Sequence, residues 1–179
     1  MTAMLATIVV LLVMAGEMLW SRGNERELRR QGAAEPSGDV YRAMAWVYPL
    51  SFVAIGIEGA LRGRPASAVL LGGLTVFLVA KALKYWAIAS LGSRWTFRVL
   101  VPKESTLIRT GPYAFVRHPN YVAVLGEIIG FALFAGAIFS GIAGVLVFGA
   151  LLRRRVRVEE RALGLADPGP RIPDPGRYT

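Results

Sequence analysis

The sequence predicts an all-α integral membrane protein of about five transmembrane helices, the last two forming a helical hairpin. Three observations predict this class. Hydrophobic residues make up 54% of the chain. They are gathered into runs near the length that crosses a bilayer. The basic residues collect in alternate loops.

The first run, Thr2 to Trp20, has no positively charged segment before it, so it reads as a retained helix and not a cleaved signal. Ala43 to Leu61 and Ala66 to about Leu91 form the second and third. The fourth run, Tyr121 to Leu152, is too long for one crossing. A helix rising 1.5 Å per residue spans the ~30 Å hydrocarbon core in roughly 20 residues. The small residues Ala135-Gly136-Ala137 and Ser140-Gly141 offer a tight turn, dividing this run into two short arms. The chain reads as a single membrane domain over 1–179, with three helices in 1–91 and a loop, hairpin and tail in 92–179.

Charge placement tests this topology independently. Arg22, Arg26, Arg29, Arg30 and Arg42 lie in the first loop, and Arg94, Arg98, Lys103, Arg109 and Arg117 in the third. A further arginine group follows the last span, whereas the second loop holds only Arg62 and Arg64 and the hairpin turn holds none. Positive charge collects on the cytoplasmic side, which places the N-terminus outside and the C-terminus in the cytoplasm. The net charge of +9 follows from topology and anionic membrane lipids, and calls for no nucleic-acid partner. With no cysteine and one histidine, the chain has no disulfide framework, thiolate nucleophile or zinc-type ligand cluster, and no metal is expected.

Ionisable residues inside spans are costly and are the first functional candidates: Glu17, Glu58, Lys81, Lys84 and Glu127. Glu17 and Glu58 lie close to span ends. Lys81 and Lys84, beside Tyr85 and Trp86, read as snorkelling cations in an aromatic belt. Glu127 lies deeper and requires a partner within the protein or a proton.

The loop from Leu91 to Tyr121, LGSRWTFRVLVPKESTLIRTGPYAFVRHPNY, concentrates glycine, proline, aromatics, cations and the one histidine. Gly111-Pro112 marks a turn. Pro119 opens the fourth helix and leaves His118 at its N-terminus, where unpaired N–H groups favour an anion, although a plain helix cap is the bland alternative. A second cluster, RRRVRVEERAL from Arg153 to Leu163, has helical spacing and continues the last span. Arg153, Arg157 and Glu160 share a face there, with Glu160 ~12 Å beyond Leu152. This too reads in isolation as an anchoring, salt-bridged surface. The closing hairpin brings His118 and Tyr121 to the membrane face that carries Arg157, Glu159 and Glu160.

Three linked pieces, KYWAIASLGSRWTFRV, GPYAFVRHPNYVAVLGEIIG and RVRVEERAL, spread from about Lys84 to Leu163, resemble the isoprenylcysteine carboxyl methyltransferase family in its bacterial form. The resemblance implies an S-adenosyl-L-methionine-dependent methyltransferase of the bacterial inner membrane. Its cofactor pocket faces the cytoplasm, between the loop before the hairpin and the C-terminal helix extension. Gly111, Pro112, Tyr113, Arg117, His118, Pro119, Tyr121, Glu159 and Glu160 would bind the cofactor, and Arg157, Glu160 and Arg171 would carry catalysis. Arg157 is the first choice for orienting the acceptor. The tail, LGLADPGPRIPDPGRYT, departs from the family by being short and proline-rich.

The acceptor implied is a lipophilic small molecule or lipid arriving from the bilayer and methylated on a carboxylate. Phenolic-lipid O-methylation and phospholipid or amine N-methylation are the alternatives. A sterol-type reductase using NADPH and a non-catalytic membrane protein stand further off. Methyl transfer is an in-line displacement that needs proximity, orientation and dehydration more than a metal. A carboxylate acceptor needs only a cation to hold it, whereas a phenol or ammonium also needs a base, for which His118 or a glutamate is suited.

Overall fold

The computed structural model describes residues 2–101 and 108–164, and these residues are helical with no strand longer than one bridge. Five helices follow one another: α1 (Thr2–Arg30), α2 (Tyr41–Arg62), α3 (Ser67–Leu91), α4 (Pro119–Ala135) and α5 (Ile138–Ala162). Two short 3₁₀ turns, Gly92–Arg94 and Gly111–Ala114, lie between α3 and α4. The α1, α2 and α3 segments are long and apolar enough to cross a membrane, and α4 is a shorter apolar helix of 17 residues. The bundle's outward faces are greasy, with Leu12 and Leu19 of α1, Leu61 of α2 and Leu146 of α5 all largely exposed. Such a belt suits hydrocarbon and not water.

The α1 helix runs well past its expected end at Trp20, carrying a charged extension to Arg30. The long fourth run breaks at Gly136, which takes the left-handed conformation (φ 71°) that glycine adopts without penalty. The chain then reverses. Gly141 lies against Ala132, Gly144 against Ile128, and Tyr121 reaches α5 near its far end. The start of α5 is capped from α2, because Glu58 accepts the N–H groups of Phe139 (3.2 Å) and Ser140 (2.6 Å).

α3 and α4 pack closest of all. A Cβ on Gly130 would sit 2.4 Å from the Phe77 backbone nitrogen, and one on Gly73 would sit 2.3 Å from that of Phe134. Small residues let the two backbones approach in an apolar environment, where packing and not water drives helix association. A ladder of rings, Tyr48, Phe52, Phe131 and Phe77, fills the centre with centroid spacings of 5.1, 5.3 and 5.8 Å.

At the heart of the bundle lie four charges. Glu17 of α1 meets Lys84 (2.6 Å) and Lys81 (3.1 Å) of α3; Glu127 of α4 meets Lys81 (3.0 Å) and Lys84 (3.5 Å). The Tyr48 hydroxyl of α2 donates to Glu127 at 2.6 Å. This corrects the reading of the two lysines as snorkelling interface residues. Lys84 is 2% exposed, because both glutamates are near enough to satisfy it inside the bundle. Glu127 has the internal partners that its depth demanded.

Gly130→Ala forces its new methyl against the Phe77 backbone and costs about 1–3 kcal/mol, the range for overpacking. Thermal unfolding of the detergent-purified protein is expected to show a clear loss for Gly130→Ala and none for Gly149→Ala, whose Cβ would meet nothing within 4 Å.

Candidate functional site

The loop between α3 and α4 is fastened over one end of the bundle by α1 and by the turn before α2. Asn24 donates to the Trp95 carbonyl oxygen (2.8 Å), and the Phe97 N–H donates to Ser21 Oγ (2.7 Å). The Val99 N–H donates to Asp39 (3.1 Å), and Ala34 pairs with Val101 through backbone bonds. Arg98 lies between Glu35 and Glu25 and over the Tyr41 ring. Paired arginines hold the Glu35 carboxyl below its ordinary pKa against the opposing effect of its partial burial.

Beneath this loop lies a cavity of about 790 Å³, within the range of small-molecule sites. Its deeper walls are apolar, from Leu11, Met14 and Met18 of α1, Met44 of α2, Val124 of α4, and Phe148 and Leu152 of α5. Its loop end carries Tyr113, His118, Asn120, Tyr121, Arg155 and Glu159. Glu17, Tyr48 and Lys84 open onto the same space.

The polar end is a connected set. His118 stacks on Tyr121 with centroids 5.2 Å apart. Its Nε2 lies 3.3 Å from Glu160 Oε1, and its Nδ1 lies 3.9 Å from Glu159 Oε2. The Tyr121 hydroxyl donates to Glu159 (2.5 Å) and accepts from Arg155 Nε (2.8 Å). Arg155 continues to Asp39 (3.2 Å) and to the Phe97 carbonyl oxygen (2.5 Å), so one buried guanidinium joins α5, α4, the loop and the turn before α2. Burial, with the Glu159 carboxylate next in weight, pushes the Tyr113 phenol well above its usual pKa, so it stays a neutral donor.

The residues expected to form the site are distributed as follows. Tyr113, Arg117, His118, Tyr121 and Glu159 line the cavity, with Arg117 mostly exposed and 3.8 Å from Glu160. Gly111 (φ 59°) and Pro112 build the turn beneath Tyr113. A Cβ at Gly111 would collide with Ser90 Oγ at 2.1 Å. Pro119 is buried at the first turn of α4. Glu160 touches the site through His118 and is not part of the cavity wall. Arg157 is exposed and does not line the cavity, and Arg171 lies outside the described residues.

Sequence reasoning missed Arg155, Asp39, Asn120 and Trp95. A signal for Arg155 was present. Phe148, Leu152, Arg155 and Glu159 follow i, i+4, i+7, i+11 spacing, so the buried stripe of α5 runs straight into the charged tail. The face chosen from the sequence, 153, 157 and 160, is turned away from that stripe.

Two buried polar atoms at this site have no hydrogen-bond partner among the described residues: Asn120 Oδ1 and Trp95 Nε1. Buried polar groups are rarely left unpaired, so an acceptor and a donor in cavity-lining residues suit a ligand with both functions. With Glu159, Tyr113 and the His118 ring beside them, the set can hold a cationic amphoteric molecule bearing a flat heteroaromatic ring. The acidic, aromatic and unpaired groups fit that description without a metal ligand set, and no cluster of three His, Asp or Glu side chains able to hold a metal occurs among the described residues.

Fold and site together define a membrane-embedded helical protein whose polar binding end opens into an apolar chamber. Residues 73–165 match the isoprenylcysteine carboxyl methyltransferase (ICMT) family, and the chain belongs to it. That family consists of membrane methyltransferases whose members use S-adenosylmethionine as methyl donor. The chain is 33% identical over 157 residues to the uncharacterized protein YpbQ of Bacillus subtilis (strain 168), covering 87% of this chain and 94% of that one. It is 30% identical over 92 residues to an uncharacterized protein of Haemophilus influenzae (strain Rd), covering 51% and 54% respectively.

Asp39→Ala strips the buried Arg155 of its ion-paired carboxylate and is expected to cost about 3–5 kcal/mol. The check is chemical denaturation in detergent, with Glu27→Ala at an exposed pair expected to cost under about 1 kcal/mol.

Proposed function

We propose that this protein transfers a methyl group from S-adenosyl-L-methionine to an oxygen of a lipophilic acceptor that arrives from the bilayer, with a lipid carboxylic acid as the leading acceptor. The observation carrying this reading is the junction of the His118–Tyr121–Glu159 cluster, with its two unpaired neighbours, to an apolar chamber in one cavity. A water-soluble cofactor suits the polar end, and a lipid chain suits the methionine-lined walls.

The bound cofactor would supply an electrophilic methyl on a positively charged sulfur. The chain's own work is then positioning and dehydration. Glu159, held by Tyr121, would take the cofactor's cationic group, and Asn120 Oδ1 and Trp95 Nε1 would supply an acceptor and a donor to its ring. Tyr113 closes the loop side. Arg155 is a positioning residue: it fixes the Tyr121 hydroxyl that fixes Glu159. Glu160 orients His118. Arg157, being exposed, is assigned no cofactor contact. The α4–α5 pair completes five crossings of the inner membrane, with the N-terminus outside and the polar end on the cytoplasmic side, where the cofactor is made available.

The test is calorimetric titration of S-adenosylmethionine and S-adenosylhomocysteine into purified protein. His118→Ala and Glu159→Ala are each expected to weaken binding at least about tenfold, about 1.4 kcal/mol, and Arg157→Ala to stay within about twofold. Radiolabelled transfer to lipid acids, phenols and amines then ranks the acceptors. Binding of NADPH in place of S-adenosylmethionine would overturn the reading.

A further inference from the structure

The cluster around His118 does not account for the charges deeper in the cavity. Glu17 and Lys84 lie on its wall about seven residues below the loop end of α3, ~10 Å down the helix. Lys84 donates one hydrogen bond, to Glu17 at 2.6 Å, and lies 3.5 Å from Glu127 as an ion pair, so among the described residues its ammonium keeps N–H groups for a further oxygen. The other cavity cations are committed or lie at the loop end: Arg155 has three partners, Arg98 has two glutamates, Arg117 is mostly exposed, and Arg94 and Arg109 belong to the loop between α3 and α4.

Resting on the methyl-transfer reading, we propose that Lys84 and Glu17 are the acceptor-activating pair. An acidic hydroxyl, of a lipid carboxylic acid or a phenol, gives its proton to Glu17 and leaves its oxyanion on the Lys84 ammonium.

Lys81, Lys84, Glu17 and Glu127 sum to zero. An acceptor brought in already ionised would place an uncompensated negative charge among them, at a desolvation cost of several kcal/mol. A neutral acceptor leaves the sum unchanged. The acceptor O–H bond breaks, an O–H bond forms on the Glu17 carboxyl, and the electron pair stays on the acceptor oxygen beside Lys84. That oxygen is then the nucleophile. Methylation yields an uncharged ester or ether, and the proton leaves Glu17 to restore the quartet. The groups facing Glu17 are Lys81, Lys84 and Tyr85 of α3, Tyr48 of α2 and Glu127 of α4, so its carboxylate is exchanged for an oxyanion within a neutralising frame. An amine acceptor offers Lys84 no oxygen.

The test reads ionisation directly and needs no cofactor. A nonyl ortho-nitrophenol, coloured only as its phenolate, is titrated with pH in nanodiscs of zwitterionic lipid with and without the full-length protein. Wild type is expected to lower the probe's pKa by about one unit, a tenfold rise in phenolate at a given pH. Lys84→Met is expected to abolish the shift and Lys84→Arg to keep it. Glu17→Gln, which removes the anion competing for Lys84, is expected to enlarge it, an opposition of sign that loss of structure does not produce. Helical circular dichroism selects the variants that stay folded. An unshifted probe on wild type overturns the proposal without any variant, as does an equal shift in folded Lys84→Met. Displacement of the colour by lauric acid or by nonylphenol tells lipid acids from phenols. Probe ionisation without S-adenosylmethionine binding would retain the acid-holding pair and sink methyl transfer; cofactor binding with an un-ionised probe would sink this pair alone.

Discussion

Everything in this bundle is arranged around two lysines and two glutamates that cannot be placed in hydrocarbon singly. Each helix from α1 to α4 either contributes a charge to the quartet or, in the case of α2, contributes the Tyr48 hydroxyl that satisfies it. Burying any one charge alone would cost far more than a helix pair gains by packing, so the four helices meet in one register or not at all. The glycines that allow close approach serve this register: α3 and α4 touch backbone to backbone at Gly73 and Gly130, which places Lys81 and Glu127 within 3.0 Å. Packing of aromatic rings supplies the attraction, and the ions supply the uniqueness.

A second buried ion pair repeats the logic nearer the loop. Arg155 reaches Asp39 across the bundle and takes the Tyr121 hydroxyl and the Phe97 carbonyl with it. The two layers differ in what they hold. The deeper one ties helix to helix and faces apolar walls; the other ties loop to helix and sets the tilt of Tyr121, against which His118 stacks. The cavity between them is therefore bounded by rigid polar groups at both levels and by flexible methionine side chains elsewhere, a combination suited to fixing head groups while accepting varied chains.

The order of helices, the break at Ala135-Gly136-Ala137 and the meeting of His118 and Tyr121 with Glu159 and Glu160 were all legible in the sequence, because run length, small residues and proline position report local backbone physics. The partners of Lys81 and Lys84 were not. A lysine near an aromatic pair looks the same in sequence whether it snorkels or is buried, and the difference lies in Glu17, more than sixty residues away. Arg155 was lost for another reason. A run of four arginines in five residues hides its own phase, and only the apolar stripe through Phe148 and Leu152 tells which one faces inward. Asp39 sits in a turn among glycine, serine and proline, where an aspartate ordinarily caps a turn, and here it also accepts from the Tyr41 N–H in that manner.

The site is composite in a way that bears on its chemistry. The family match begins at residue 73 and contains Lys84, His118, Tyr121, Arg155 and Glu159. Their partners Glu17, Asp39 and Tyr48 come from the helices and turn before it. The matched part holds an excess of cations facing the cavity, and the preceding part supplies acidic partners to Lys84, Arg98 and Arg155. Part of the deep apolar wall also comes from α1 and α2, through Leu11, Met14, Met18 and Met44. A chain divided like this can keep its polar end while its first two helices change the width and polarity of the apolar chamber, provided each retains the counter-charge that its half of the bundle requires. Such change falls chiefly on Leu11, Met14, Met18 and Met44, whose side chains meet the cavity without belonging to either ionic layer.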